Sequence, residues 1–112
     1  MQRDPLVYLD DIIQACRKIE RYTSTITFEQ FQDDEKTIDA VVRNFEIIGE
    51  AVKNVPADIR GRMPEIEWSR AAGMRDVLAH GYFNVNLRLV WDAAMQSVPP
   101  LAERVTAFLA AL

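Results

Sequence analysis

The chain has 112 residues, 49% apolar and 27% charged, with 13 Lys and Arg against 17 Asp and Glu for a net charge of −4. A chain this short builds one domain around a single core and no two-domain cleft, so a deep active site calls for a second copy. Four Gly, five Pro and no biased tract exclude a disordered chain, and the lone Cys16 excludes an intrachain disulfide or a cysteine-based zinc site.

In chain order, Met1-Gln2-Arg3-Asp4-Pro5 leads straight into an amphipathic pattern, with no leader and no apolar run of membrane length. With the unpaired cysteine, this points to a reducing cytoplasm. Leu6, Leu9, Ile12, Ile13, Cys16 and Ile19 recur at helical spacing, and Asp4 and Pro5 are suited to the N-cap and the first helical position. The β-branched run Thr23 to Thr27 ends that helix, and Thr27 can cap a short turn through Phe28, Phe31 and Gln32. A long second helix follows from Glu35 to near Asn54, through Ile38, Val41, Val42, Phe45, Ile48 and Val52, stopped by Pro56. Gly49 inside it costs on the order of 1 kcal/mol against alanine, which points to a close approach by another helix or a ligand.

Pro56 to Glu67 reads as a connector with one helical turn at Ala57 to Arg60. Trp68, Ala71, Ala72, Met74, Val77 and Leu78 make a third main helix, ended by Gly81 as a C-terminal cap. Asn86 caps a helix over Leu87 to Gln96, and Ser97-Val98-Pro99-Pro100 opens a last helix through Leu112. No segment reads as a strand and no repeat is visible. The expected fold is an all-α bundle of four to five helices, in one domain over 1–112. Trp68 and Trp91 are expected in the core rather than as base-stacking surfaces.

Charge is uneven. Residues 1 to 59 carry 7 bases and 12 acids, residues 60 to 88 carry 5 Arg and 3 acids, and residues 89 to 112 carry 1 and 2. Arg60, Arg62, Arg70, Arg75 and Arg88 are suited to forked contact with phosphate or carboxylate. Ordinary surface ion pairing is the competing account. Asp33, Asp34, Glu35 and Asp39 complement a helix dipole and, with no histidine beside them, do not read as a metal site. There is no phosphate-binding glycine loop, zinc spacing or nucleophile elbow.

The chemistry concentrates in Met74-Arg75-Asp76-Val77-Leu78-Ala79-His80-Gly81-Tyr82-Phe83, which holds the chain's one histidine. A phosphate-binding cation, a group titrating near neutral pH and a phenol together suit work on a phosphodiester. His80 in a last helical turn lies beside unpaired carbonyls, which favour the imidazolium. Five residues of regular helix turn through about 500°, so Arg75 and His80 point about 140° apart. They converge if the helix ends between them, or across a subunit interface. Asp76 is either a solvated ion-pair partner or, four residues before His80, its orienting carboxylate. Tyr82 and Phe83 are also suited to plain packing.

Arg43-Asn44-Phe45-Glu46-Ile47-Ile48-Gly49-Glu50-Ala51, then Pro64 to Trp68, then Gly73 to Phe83, then Val90-Trp91 and Pro99-Pro100-Leu101, form an ordered set of blocks that resembles the HepT-like family of the HEPN superfamily over essentially the whole chain. The family signature is Arg, a polar residue, His after four intervening positions, then Tyr two further on, and Arg75, Asp76, His80 and Tyr82 meet it. The resemblance implies a HEPN-like up-and-down bundle that works as a homodimer, and a metal-independent ribonuclease with no cofactor, with Arg75 and His80 catalytic and Asp76 supporting. It further implies the toxin half of a type II toxin-antitoxin pair. Its partner would be a minimal nucleotidyltransferase antitoxin that transfers AMP to Tyr82. Two other readings stay open: a non-catalytic HEPN regulatory or nucleotide-binding subunit paired with such an enzyme, and a purely structural helical subunit.

Overall fold

The computed structural model describes residues 4–73 and 86–112. In chain order the helices are α1 (Pro5–Thr23), α2 (Phe28–Gln32), α3 (Glu35–Lys53), α4 (Ala57–Gly61), α5 (helical over 68–73), α6 (Leu87–Asp92) and α7 (Val98–Ala110), with a π-helical turn, Ala93–Ser97, joining the last two. The domain is all-helical, with no strand among the described residues, as the periodicity of the sequence implies.

The starts of α1, α2 and α3 follow from a capping side chain. Asp4 accepts the Leu6 N–H at 2.9 Å ahead of Pro5. Thr27 and Gln30 form a reciprocal capping box at the start of α2, with bonds of 2.9 and 3.2 Å. At α3, Asp34 accepts both the Thr37 hydroxyl at 2.7 Å and the Thr37 N–H at 3.0 Å. These two bonds hold its carboxyl below the ordinary aspartate range. Asp34 therefore serves as a cap, and among the described residues no cluster of His, Cys, Asp and Glu is placed to hold a metal ion.

α1 packs along both α3 and α7 and touches the π turn. Its buried stripe is Leu9, Ile12, Ala15, Cys16, Ile19 and Thr23, spaced three and four residues apart as a single helical face requires. α3 answers with Val41, Phe45, Ile48 and Val52, and α7 with Val98, Ala102, Val105 and Phe108. The two buried polar side chains among the described residues bond within their own helices: the Thr23 hydroxyl donates to the Ile19 carbonyl and the Asn44 amide to the Ala40 carbonyl, both at 2.8 Å. Gly49 is buried on α3. No helix among the described residues is long and apolar enough to cross a membrane.

The stretch from Leu87 to the C-terminus departs from expectation. Instead of one helix to Gln96 and a fresh start at Ser97, helical backbone runs unbroken from Leu87 to Ala110 through the π turn. The reason lies in Pro99 and Pro100. A proline ring inside an α-helix collides with the carbonyl four residues back and returns no N–H. Widening the helix by one residue, with the Val98 N–H bonded to the Ala93 carbonyl five back, admits both rings without ending it.

Candidate functional site

Arg75, Asp76, His80 and Tyr82, with the helix end expected at Gly81, lie outside the described residues, which stop at Gly73 and resume at Asn86. The structure describes the two ends from which that segment leaves and to which it returns, and a groove beside the first of them.

The leading end is fixed by Trp68 and Arg60. Trp68 is 8% exposed, and its indole N–H donates at 3.1 Å to the carbonyl of Met63, itself fully buried. The Arg60 guanidinium lies 6.0 Å from the Trp68 ring centre and donates to the Val55 carbonyl at 3.0 Å and the Val52 carbonyl at 2.6 Å. The Val52 carbonyl belongs to the last turn of α3, where helix acceptors lack intrahelical donors and a cation opposes the dipole. One arginine thus closes α3 and supports the tryptophan that opens α5.

The trailing end is fixed by α2. Asn86 caps α6, its side-chain oxygen accepting the N–H groups of Arg88 and Leu89 at 3.0 and 3.2 Å. Trp91 is half-buried against Phe31 and Phe28, with ring centres 5.2 and 6.1 Å away and tilted planes. Arg88 lies over the Phe28 ring at 4.7 Å and pairs with Asp92 at 3.3 Å. The two tryptophans expected in the core therefore differ. Trp68 is buried, whereas Trp91 covers the seam between α2 and α6.

Between α3, the 65–67 connector, α5, the π turn and α7 lies an open groove of about 410 Å³. Phe45, Ile48, Ile66, Ala71 and Leu101 give it an apolar lining, and Gln96 and Ser97 of the π turn form one wall. Two ion pairs edge it. Arg70 meets Glu67 at 3.3 Å with both side chains well exposed, and Arg104 pairs with Glu65 while donating to the Arg62 carbonyl at 3.2 Å. The hydrogen bond from Arg104 holds the Glu65 carboxyl below its ordinary range.

The arginine-rich segment is therefore no uniform phosphate-binding patch. Of its described members, Arg60 serves the backbone, Arg70 pairs with a neighbouring acid, Arg88 divides its charge between Asp92 and Phe28, and Arg62 is exposed, its carbonyl accepting from Arg104. Sequence reasoning missed the groove and the π turn that walls it. The available signal was the Pro99-Pro100 pair inside an apolar helical pattern.

With that frame of helices established, comparison with known proteins defines the class. A family model described as ribonuclease HepT-like matches residues 12–108. A probable ribonuclease HepT from Thermococcus cleftensis is 46% identical over 101 residues, 90% of this chain and 92% of that one. A provisionally named RNase from Caldanaerobacter subterraneus subsp. tengcongensis is 40% identical over 107 residues, 96% of each chain. Another, from Methanocaldococcus jannaschii, is 40% identical over 98 residues, 88% of this chain and 81% of its own. No solved structure matches the chain. The chain belongs to the HepT-like ribonuclease family.

Proposed function

We propose that this protein is a metal-independent endoribonuclease, active as a homodimer, and the toxin of a toxin-antitoxin pair whose antitoxin is a minimal nucleotidyltransferase. The reading rests on one observation: the Arg75, Asp76, His80 and Tyr82 motif stands intact inside a family match that runs from residue 12 to 108. His80 of one protomer takes the proton of a ribose 2′-hydroxyl, and the oxygen attacks the adjacent phosphorus. The bond to the 5′ oxygen breaks, and His80 of the partner protonates that oxygen as it leaves. Products are a cyclic phosphate and a 5′-hydroxyl. Arg75 meets the negative charge that builds on phosphorus, and Asp76 orients the imidazole.

Tyr82 is the point of control. Its phenol oxygen attacks the α-phosphorus of ATP on the nucleotidyltransferase, releasing pyrophosphate and leaving AMP on the side chain. The added bulk and negative charge beside Arg75 and His80 exclude the substrate phosphate.

RNA cleavage with a chelator present tests the first part. His80→Ala and Arg75→Ala should each lose on the order of 100-fold in turnover with unchanged circular dichroism. Equal rates for wild type and His80→Ala overturn the assignment. For the second part, incubation with the cognate nucleotidyltransferase and ATP should add mass in AMP units to the Tyr82 peptide and suppress cleavage. A Tyr82→Phe protein that still gains this mass there contradicts it.

A further inference from the structure

We propose that Arg104 is a positioning residue for RNA cleavage: it ties the connector ahead of α5 to α7, and so sets where α5, which the chain follows to Arg75 and His80, begins. The inference rests on the ribonuclease reading.

Arg104 stands on a firm base. Ala102 and Val105, to either side of it on α7, are fully buried, and α7 packs along α1. From there its guanidinium reaches two points of the connector that lie 39 and 42 residues away in sequence, pairing with the Glu65 carboxylate and donating to the Arg62 carbonyl at 3.2 Å. Those points bracket the fully buried Met63.

Between Met63 and α5 the linkage is short. The Met63 carbonyl accepts the Ile66 N–H at 3.2 Å as well as the Trp68 indole, and the Trp68 backbone N–H returns to the Ile66 carbonyl at 3.0 Å. Trp68 opens α5, where the Ala71 N–H bonds the Glu67 carbonyl at 3.1 Å. A shift of the turn at 62–65 therefore carries α5 with it. Gly73, the last described residue of α5, precedes Arg75 by two positions. Arg60 holds the other end of the connector on α3, and Arg104 supplies the hold on α7. The Arg104 and Glu65 side chains are 35% and 53% exposed, and an ion pair so placed adds little to global stability. Placement is where such a contact counts, since a shift of about 1 Å in a catalytic group costs up to about 100-fold in rate.

Arg104→Met keeps the apolar stem and loses both contacts. At saturating RNA its kcat should fall about tenfold with KM little changed. Arg104→Lys, which keeps a charge for Glu65 but not the fork that also reaches the Arg62 carbonyl, should recover part of that loss. Glu65→Gln should lower kcat by itself and add little on top of Arg104→Met, because the two side chains act through one contact. Hydrogen exchange reads the position directly: the Ile66, Trp68 and Ala71 amides should exchange faster in Arg104→Met, with those of Ile12 and Ile19 on α1 unchanged. An unchanged kcat beside an active wild type overturns the role and leaves the ribonuclease reading standing. So does a kcat that falls with no change at those three amides, or only together with lost protection on α1. A raised KM at constant kcat makes Arg104 an RNA contact and overturns the role too. A wild type that cleaves no RNA, with the exchange difference present, removes the ribonuclease reading and this role with it.

Discussion

Arg60 reads in the sequence as suited to phosphate or carboxylate contact and Cys16 as part of an apolar helical face, and their neighbours in the fold make both structural. Arg60 spends its guanidinium on two backbone carbonyls and an indole face, so replacing it with lysine loses the fork that reaches both carbonyls at once. Cys16 is fully buried on α1, and burial pushes its thiol up to about 12, with Glu20 adding to the effect and Arg17 opposing it. At neutral pH it is a small apolar side chain rather than a nucleophile. The native protein should therefore be inert to a thiol-specific reagent and become fully reactive in denaturant. The folded thiol titrates above its ordinary 9.0, so the unfolded chain releases the proton first. Stability from this group is complete below about pH 9 and falls as pH rises toward 12, a loss that Cys16→Ser should remove from alkaline melting curves.

At the scale of elements, short helices carry much of the positioning. α2 is only five residues long, yet its Phe28 and Phe31 hold Trp91, and through it the start of α6. Asn86→Ala removes the bonds to the Arg88 and Leu89 amides and should cost about 1 kcal/mol in urea unfolding, the usual worth of a side-chain N-cap. Faster hydrogen exchange at those two amides locates the effect. The same caps explain what was legible beforehand. Asp4, Thr27 and Asn86 mark helix starts through local chemistry that a sequence displays directly. The continuity of α6 with α7 was not legible, because two prolines usually signal a new start and only packing on α1 decides between that and a widened turn. Roles for Arg60 and Arg88 were hidden for a similar reason: their partners, Val52 and Phe28, lie 8 and 60 residues away in sequence. Arg75, Asp76, His80 and Tyr82 were legible only as a spaced pattern, and their geometry falls outside the described residues.

For the molecule as a whole, α1 is the element against which the others are assembled. It touches α3, α7 and the π turn, so a cavity in its stripe loosens several seams together. Ile12 is fully buried there, and Ile12→Ala should destabilise the domain by about 2–5 kcal/mol, measured by denaturant titration. Overall activity should fall with the folded fraction and recover wherever folding is restored by lower temperature. The π turn matters at this scale too, as a correction of phase. Val90, Ala94, Val98 and Ala102 are all buried and lie four residues apart. In an α-helix each such step overshoots a full turn by about 40°, so Val90 and Ala102 would face directions about 120° apart. Five residues wound at about 4.4 per turn absorb most of that drift and bring the two within about 30°. The winding that admits two prolines also keeps a four-residue rhythm on one buried face, much as a leap day keeps a calendar aligned with the seasons.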